Sequence, residues 1–540
     1  MRQTFACLVL CLILAWLIAI QAAPPSSPAS APASGRAVAT RAGEIVFQAD
    51  FSDPAEMKAW SQAPFAEWVG ETGHRALRVK VPAEEASRER MIRRTIDLAP
   101  FRGCLLYLTC QAKAEGVSKP PHPYNGVKYM LQFATPGTGP HWANQNNVYG
   151  SFDWKKVAFS ATIPADATTG TLNLGLQESS GSVWFDDVQV GVLFVPGPRP
   201  APRANLGPAF RGHDLPRLRG VMSPTIFSED DLRVLGQDWK ANLMRWQIQR
   251  NQGKIGTDRD LADYDRWFEG KLDELDKALE SSHRNGIKVV IDLHTPPGGR
   301  LDNNDLAIFH EPKYQDHFVE LWEKLARRYK GHAAVWGYDL VNEPIQNEPS
   351  PEGLGDYLGA QVRAAKAIRA IDPTTPIFIE AVQWDSAEGF AYLKPVDVPN
   401  VVYQVHMYWP GQFTHQGVSG SPVGVSYPGE INGQKYDKQA LRRHLQPVRD
   451  FQLSCNVHIY VGEFSAIRWA PGESAANYLR DCIELFEEYG WDWSYHAYRE
   501  WDGWSVEHGS DPKDSHPATQ PTSRKKLLLE WFAKNQKPSN

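Results

Sequence analysis

From residue 215 to residue 536 the sequence alternates short apolar runs with longer amphipathic segments. The runs are rich in β-branched and aromatic residues, as is typical of buried strands, and the alternation is typical of the βα units of a parallel sheet. The segment near residues 263–285 keeps its apolar side chains on one helical stripe and stops at Gly286. Eight such repeats predict a (β/α)8 TIM barrel in which a helix follows every strand. The strands are expected at Leu218–Met222, Leu243–Trp246, Lys288–Leu293, Trp336–Glu343, Ile377–Glu380, Val401–His406, His458–Glu463 and Trp491–Tyr498.

The ends of the predicted strands carry a set of polar residues. A TIM barrel gathers the carboxyl ends of its strands at one opening, where the active sites of this fold lie. Polar groups under a rim of flat aromatic rings suit a sugar, which forms hydrogen bonds at its edges and stacks on its faces. Each of these residues taken alone also has a structural interpretation, as a cap or an ion-pair partner. The strand-end residues are Arg245, His294, Asn342, Glu343, Glu380, His406, Tyr408 and Glu463, and the tryptophans beyond strands five to eight are Trp384, Trp409, Trp469, Trp501 and Trp504.

Two of these residues, Glu343 and Glu463, end strands four and seven and are predicted to face each other across the opening. Retaining glycoside hydrolysis needs two carboxyl groups about 5–5.5 Å apart, one as nucleophile and one as acid/base. Arg245 beside one carboxylate would keep it charged, while the other glutamate keeps its proton until it donates it. We expect Asn342 to contact the sugar's 2-hydroxyl, and His406 and Tyr408 to orient the pair.

The residues listed above resemble glycoside hydrolase family 5, a family of TIM-barrel retaining glycosidases, over about residues 215–533. The resemblance implies a cellulase-like O-glycosyl hydrolase of β-linked glycans that uses no cofactor and no metal. It also implies that Glu463 attacks the anomeric carbon and that Glu343 is the acid/base. The motifs that carry it are Asn342-Glu343-Pro344, Val461-Gly-Glu463-Phe, Arg245 in Asn-Leu-Met-Arg, His294 in Asp-Leu-His, and His406 with Tyr408 in Val-His-Met-Tyr.

The eighth strand departs from the pattern of this family, whose members usually carry a tryptophan at its end. Trp501 is our choice for the sugar platform, but His496 aligns about as well if the strand ends earlier. Trp409 and Trp384 are the other aromatic residues expected to bind substrate. The long loop from Trp409 to Asp437 either walls the cleft or is a surface insertion.

Residues 44–195 show a different pattern, with short alternating runs and turn residues between them. This pattern predicts an all-β, jelly-roll sandwich. Its last strand, Val183–Val190, resembles that of galactose-binding-like jelly rolls and carbohydrate-binding modules. The domain either binds sugar or is purely structural, and a Pro-rich linker, residues 196–214, connects it to the barrel domain, residues 215–536. Aromatic faces for sugar rings are offered by Trp68, Tyr124, Trp142 and Tyr149.

The N-terminus resembles a secretory signal peptide, residues 1–22, followed by a Pro/Ser/Ala-rich linker, residues 23–43. A secreted, periplasmic or cell-surface monomer is therefore expected, and an uncleaved membrane anchor is the alternative. The net charge of −6 gives no excess of basic residues of the kind that indicates nucleic-acid binding. Cys104 and Cys110 are too far apart along one strand for a mutual bridge, whereas a bridge between Cys455 and Cys482 stays open.

Two other classes of protein compete with the glycosidase. A metal-dependent hydrolase on the same barrel could use Asp292, His294 and His406, although the first strand offers no ligand pair. A non-catalytic glycan-binding protein would rely on the β-domain, but the presence of both glutamates argues against it. The sequence does not select a particular glycan, a linkage, or endo over exo attack.

Overall fold

The computed structural model describes residues 41–71, 74–136, 139–201 and 207–538. The expected signal peptide, and the linker up to residue 40, lie outside these residues. Described residues 41–196, with the short segment 347–349, form one compact unit, and the remainder from Gly197 forms a second. Within the described ranges, no helix is both long enough and apolar enough to cross a membrane.

The first unit is an all-β sandwich, as predicted, with one short helix, α1 (Pro54–Lys58). Its strands are β1 (Ile45–Ala49), β2 (Ala66–Glu71), β3 (His74–Val81), β4 (Glu89–Asp97), β5 (Leu105–Val117), β6 (Gly126–Thr135), β7 (Gly139–Asn144), β8 (Gly150–Thr162), β9 (Thr169–Gln177) and β10 (Gly181–Phe194). They pair antiparallel in two sheets, β2-β3-β10-β5-β8 with β1 on β10, and β4-β9-β6-β7.

One apolar core lies between the two sheets of the sandwich. Alternate residues of each strand point into it, so that Leu131 of β6 and Leu172 of β9 are fully buried. Trp68 packs on this core with its ring 4.9 Å from that of Phe51. Its packing therefore differs from the expectation of an exposed sugar-stacking face, because the ring is needed to close the core.

The second unit is a closed parallel barrel with the order β11-β12-β13-β14-β15-β16-β19-β20, which confirms the TIM-barrel prediction. The barrel strands are β11 (Arg219–Met222), β12 (Leu243–Gln247), β13 (Lys288–Asp292), β14 (Val335–Asp339), β15 (Ile377–Glu380), β16 (Val401–Met407), β19 (Ile459–Phe464) and β20 (Asp492–Tyr495), and a hairpin of β17 (Gly429–Ile431) and β18 (Gln434–Tyr436) lies in the long loop after β16.

Helices surround the barrel, and several begin at side-chain caps. Ser228 caps the first and Asp260 the second, by accepting hydrogen bonds from backbone N–H groups of the first helical turn. The helices are α2 (Glu229–Arg233), α3 (Leu261–Arg284), α4 (Pro312–Tyr329), α5 (Tyr357–Ile371), α6 (Gly411–Thr414), α7 (Lys438–His444), α8 (Gln446–Cys455), α9 (Ser474–Tyr489) and α10 (Ser523–Phe532).

The expectation that a helix follows every strand is wrong at one place. Between β15 and β16, where every residue is described, the chain forms only the 3-10 turn Gly389–Ala391. Pro395 and Pro399 interrupt this segment, and proline removes a helical hydrogen bond and clashes with the preceding turn.

Two strands also end earlier than expected. β14 stops at Asp339, so Glu343 lies in a turn beyond the strand with φ of +49°. β20 stops at Tyr495, which makes His496 the first residue after the strand. Both ends matter for the site, because they decide which side chains lie at the opening.

The expected linker, residues 196–214, is in part docked on the barrel unit. The backbone N–H of Gly197 donates to the carbonyl of Ala391, and the guanidinium of Arg199 lies 5.0 Å from the ring of Phe451. His213 lies 2.7 Å from the buried carboxylate of Asp492. The segment can make these contacts because it carries Arg199, which packs on an aromatic ring, and His213, which pairs with a carboxylate, as well as prolines.

An apolar layer closes the N-terminal end of the barrel. The indole of Trp336 packs against Phe378 and Tyr460, with ring centroids 4.8 and 5.2 Å away. Leu218, Leu243, Val290 and Val402 complete this layer, all of them buried. The carboxyl groups that face Arg245 lie beyond this layer, towards the end where the strands finish.

The loop after Trp409 is folded back on the barrel rather than being a simple insertion. The buried side chain of Gln416 bonds to the backbone of Gly424 and Val425, and the backbone carbonyl of Gln416 accepts the indole N–H of Trp469 at 2.7 Å. Both Cys455, at the end of α8, and Cys482, on α9, are free, so the bridge left open above is not formed.

Candidate active site

The carboxyl ends of the barrel strands bring Glu343 and Glu463 together. A carboxylate oxygen of each lies within 4.8 Å of the other, and the Nδ1 atom of His406 lies within the same distance of both. That nitrogen is 3.0 Å from Oε1 of Glu343 and 3.8 Å from Oε2 of Glu463. The spacing is that of a retaining rather than an inverting carboxyl pair, whose members are about 6.5–9.5 Å apart.

Glu463 lies inside β19 and is almost fully buried among hydrogen-bond donors. Arg245 Nη1 donates to its Oε1 at 2.7 Å, and the hydroxyl of Tyr408 donates to its Oε2 at 2.7 Å. Burial by itself would raise the pKa of Glu463, but its neighbours His406, His496 and Arg245 hold it well below its ordinary value. Glu463 is therefore an ionised carboxylate.

Arg245 lies in the middle of β12 rather than at its end as expected, and it is fully buried and faces four carboxyl groups. Besides Glu463, it contacts Asp339 at 2.7 Å, Glu380 at 3.0 Å and Asp292 at 3.3 Å. Burial would lower the pKa of Arg245, but these carboxyl groups raise it well above its ordinary value. The guanidinium fork is the only side-chain shape that donates in so many directions from one point.

Arg245 carries one positive charge and faces four carboxyl groups, and burial favours the protonated form of two of them. Burial, opposed by Arg245 and aided by Asp292, raises the pKa of Asp339 to about 6. Burial, together with Asp339 and Asp385, raises the pKa of Glu380 well above its ordinary value. Burial thus shifts the carboxyl groups of Asp339 and Glu380, behind the two glutamates, towards their protonated forms.

Glu343 has a different environment, in the turn after β14. Its backbone N–H donates to Glu380 Oε2 at 2.6 Å, and its backbone carbonyl accepts from Arg300 Nη2 at 3.0 Å. The guanidinium of Arg300 also lies 4.6 Å over the ring of Trp384. The side chain of Glu343 is 14% exposed, against 4% for Glu463, so water reaches it more easily.

His294 and Asn342 form a second connected group at the opening. His294 Nδ1 lies 2.8 Å from Asp292, and its Nε2 lies 3.2 Å from the amide nitrogen of Asn342. The amide oxygen of Asn342 accepts from Arg245 at 3.0 Å. Burial would lower the pKa of His294, but Asp292 raises it. This chain of bonds fixes Asn342 beside the carboxyl pair.

The predicted tryptophans are not equivalent in the structure. Trp384 is tied to the Glu343 turn through Arg300, as described above. Trp501 packs edge-on against Trp504, which in turn contacts the rings of Tyr408 and His496. Trp409 stacks on His444 of α7 at 4.5 Å, so one of its faces is already covered.

Several residues of the site were not singled out from the sequence as binding or catalytic. Asp339 gives no signal in the sequence, because an acid within an apolar run gives no sign of its partner, and Asp292 is considered there only as a metal ligand. Glu380 was identified only as a strand-end residue. Asp292 has one usable signal, since it stands two residues before His294 and therefore on the same side of the chain.

Three groups of histidine and carboxylate side chains among the described residues are close enough to hold a metal: Glu343 with His406 and Glu463, Glu380 with Asp385 and His406, and His213 with His458 and Asp492. In the first, Glu463 already accepts from Arg245 and Tyr408, and in the third both imidazoles face one oxygen of Asp492. The ligand atoms of the first and third groups are thus engaged in hydrogen bonds and ion pairs, so these two donor sets do not fit a metal well.

An eight-stranded parallel barrel with two close carboxyl groups at its C-terminal opening defines a barrel glycosidase of the retaining class. The chain belongs to the family Cellulase (glycosyl hydrolase family 5), whose family model matches residues 209–503. This confirms the resemblance drawn from the motifs. The chain is an O-glycosyl hydrolase of β-linked glycans, and the non-catalytic and metal-dependent alternatives are not favoured.

Individual proteins are also similar to this chain in sequence or structure. The chain is 29% identical over 300 residues to Endoglucanase C of Acetivibrio thermocellus, a match that covers 50% of this chain and 84% of that protein. It is 27% identical over 275 residues to Cellodextrinase A of Ruminococcus flavefaciens, covering 48% and 75%. Among solved structures, endoglucanase Cel5A of Thermotoga maritima aligns with a TM-score of 0.45 at 22% identity, covering 58% of this chain and 96% of that one.

Proposed function

We propose that Glu463 is the nucleophile and Glu343 the acid/base of a double displacement on a β-glucan. The observation that supports these roles is the contrast between the two environments. Glu463 is buried, bonded to Arg245 and Tyr408, and ionised. Glu343 is more exposed, and one oxygen of its side chain contacts His406. The other oxygen is therefore available to bind and release a proton during the reaction.

The two steps balance as follows. An oxygen of Glu463 bonds to the anomeric carbon while the glycosidic bond breaks, and its electron pair stays on the leaving oxygen, which takes the proton of Glu343. A water then gives a proton to Glu343, and its oxygen attacks the same carbon. The ester bond to Glu463 breaks, and its electron pair returns to the carboxylate.

Nucleophile rescue tests the two roles. In Glu343→Ala, a 2,4-dinitrophenyl β-cellobioside, whose leaving group needs no proton, should still form the glycosyl-enzyme, and azide should release the β-glycosyl azide. In Glu463→Ala, azide should yield the α-glycosyl azide instead. The same azide anomer from both variants, or an inverted first product from the wild type followed by NMR, would contradict the proposal.

The substrate is proposed to be a β-1,4-glucan or its oligosaccharides, because relatives named endoglucanase and cellodextrinase match the catalytic unit. A panel of soluble β-glucans, mannan, xylan and cello-oligosaccharides would test this. A kcat/KM on the glucans at least tenfold above that on mannan and xylan is expected. A preference for either of the latter would identify a different substrate.

We also propose that the β-sandwich binds glycan through its four-stranded sheet. Trp142 on β7 is 48% exposed, and Tyr124 and Tyr149, which flank β6 and β8, are 38% and 40% exposed. An exposed aromatic face of this kind stacks on pyranose rings. Trp154, 44% exposed on β8 of the other sheet, offers a matched control.

Binding of the full chain to insoluble cellulose tests this role of the sandwich. In the inactive Glu463→Gln background, Trp142→Ala should lower the bound fraction several-fold, and Trp154→Ala should not. Equal binding by both variants would show that the sheet has no such role.

Secretion and a monomeric state are further proposals that rest on the sequence. Expression of the full chain with its leader should give a product that begins near Ala23, as read by mass spectrometry. A product that keeps residues 1–22 in the membrane fraction would indicate an anchor. Sedimentation should give one species of the monomer's mass.

A further inference from the structure

His496, the first residue after β20, lies directly against the proposed nucleophile. Its Nδ1 atom is 3.4 Å from Oε2 of Glu463, the oxygen that Arg245 does not bind. The two oxygens of Glu463 therefore face different cations, Arg245 at Oε1 and His496 at Oε2. A tryptophan at this position would offer a flat face but no charge.

The hydrogen bonds around His496 fix its protonation. Tyr408 has one hydroxyl proton, and it donates this proton to Glu463, so the close contact between the Tyr408 oxygen and His496 Nδ1 needs a proton on the nitrogen. The other ring nitrogen, Nε2, lies 2.9 Å from the carboxylate of Glu500, which only accepts. Both nitrogens carry protons, and the ring is an imidazolium.

The groups that face His496 come from several elements. Glu500 lies on its own loop, Glu463 on β19 and Glu343 in the turn after β14. Tyr408 and His415 approach from the segment after β16. Burial would lower the pKa of His496, but Glu500 and Glu463 raise it to about 9, while burial and His496 lower the pKa of His415 to about 4. His496 is thus the ring of this pair that carries charge at neutral pH.

We propose that His496, kept protonated by Glu500, is a positioning residue that stabilises Glu463 as the leaving carboxylate of the second displacement. The inference rests on the proposed function, because it takes Glu463 as the nucleophile. When the ester bond breaks, negative charge returns to Glu463, and the imidazolium already faces Oε2. The proton stays on His496 throughout, so its effect on this step is electrostatic, while the glycosyl group passes to water and the water proton to Glu343.

A dinitrophenyl substrate isolates this step. With 2,4-dinitrophenyl β-cellobioside the first step needs no proton from Glu343, and the second step limits kcat. The alkaline limb of kcat should then report the loss of the His496 proton in the glycosyl-enzyme, and it should lie below the free-enzyme pKa of about 9 because Glu463 is then a neutral ester. In Glu500→Gln the limb should move down by at least one pH unit, a tenfold change in proton affinity. A matched surface variant, Glu488→Gln, which affects only a pair with Arg442, should leave the limb in place.

A direct titration of the ring supports the kinetics and needs no substrate. In the full chain with ¹⁵N-labelled histidine, the signal that disappears in His496→Asn should stay protonated to about pH 9, and in Glu500→Gln it should titrate at least one unit lower. A ring that is neutral at pH 7 in the wild type, or an unchanged titration in Glu500→Gln, would overturn the proposal.

The outcomes separate this inference from the proposed function. If Glu463→Gln keeps its turnover, the assignment of the nucleophile fails, whatever Glu500→Gln does. If Glu463→Gln is inactive while Glu500→Gln leaves both the kinetic limb and the ring titration unchanged, only the role of His496 fails.

Discussion

Oε2 of Glu380 accepts the backbone N–H of Glu343 at 2.6 Å, so the fifth strand holds the main chain of the proposed acid/base. Oε1 of the same carboxyl group contacts Arg245 at 3.0 Å, and Arg245 in turn bonds Glu463. One buried side chain therefore connects the backbone of one glutamate with the cation that faces the other. A left-handed φ of +49° is uncommon for a glutamate and needs such support.

Removal of this support should lower activity. In Glu380→Ala the buried N–H of Glu343 loses its acceptor, at a cost of about 1–3 kcal/mol, and the acid/base shifts from its position. We expect kcat/KM to fall by about 100-fold. Glu380→Gln should cost less, because its amide oxygen can still accept the N–H of Glu343. Steady-state kinetics on a soluble β-glucan measures both variants, with Glu388→Ala, on the same segment but paired with His444, as the control. Wild-type kinetics in Glu380→Ala would show that the bond is dispensable.

The buried acids also predict how stability depends on pH. Burial first, and neighbouring acids next, raise the pKa of Glu380, and Asp339 reaches about 6. Such groups bind more protons in the folded chain, so their stabilisation is complete below the unfolded pKa of about 4 and is lost as the pH rises through the folded pKa. The free energy of unfolding should therefore fall less from pH 5 to pH 8 in Glu380→Gln than in the wild type. Denaturant titrations at each pH measure this, and parallel curves would contradict it.

Arg245 should tolerate no other cation. Lysine keeps the charge but presents three donors at one point, which cannot serve Glu463, Asp339 and Glu380 at once. In Arg245→Lys we expect kcat/KM to fall by at least 100-fold. Its acidic limb should move to higher pH, because an ammonium that no longer bonds Oε1 of Glu463 lowers the pKa of this carboxyl group less than the guanidinium does. Arg219→Lys, at the start of β11 and paired with Glu487, is the control that should keep both values. An unmoved acidic limb would mean that Arg245 does not set the charge of Glu463.

The sequence predicted the barrel and the two glutamates for the same physical reason. A buried parallel strand leaves a short apolar run, and its end marks the opening of the barrel. The carboxyl groups that contact Arg245 behind the site could not be predicted, because Asp292, Asp339 and Glu380 come close to Arg245 only when the barrel closes. The choice between His496 and Trp501 depended on where β20 ends, and strand ends are decided by pairing with neighbours rather than by local pattern.

Asp492, the first residue of β20, tests whether the two ends of the barrel have separate roles. Its Oδ1 accepts the backbone N–H of Leu218 at 2.7 Å, and its Oδ2 lies 2.7 Å from both His213 and His458. Burial would raise its pKa, but His458 and His213 hold it well below its ordinary value. Polar side chains at this end are not needed for catalysis, because the carboxyl pair lies at the opposite opening.

We therefore expect Asp492→Asn to destabilise the protein by about 2–4 kcal/mol, since it leaves buried histidines without their anion, and to change kcat/KM at 25 °C by less than about twofold. A carboxylate with a lowered pKa stabilises the folded chain above the unfolded pKa of about 4 and loses this effect as the pH falls through the folded value. The difference between wild type and variant should thus be full at pH 7 and shrink towards pH 3. Denaturant titrations and kinetics on the same preparations measure both quantities. A loss of activity at full folding would mean that the N-terminal end of the barrel is coupled to the site, because no direct contact with the carboxyl pair could account for it.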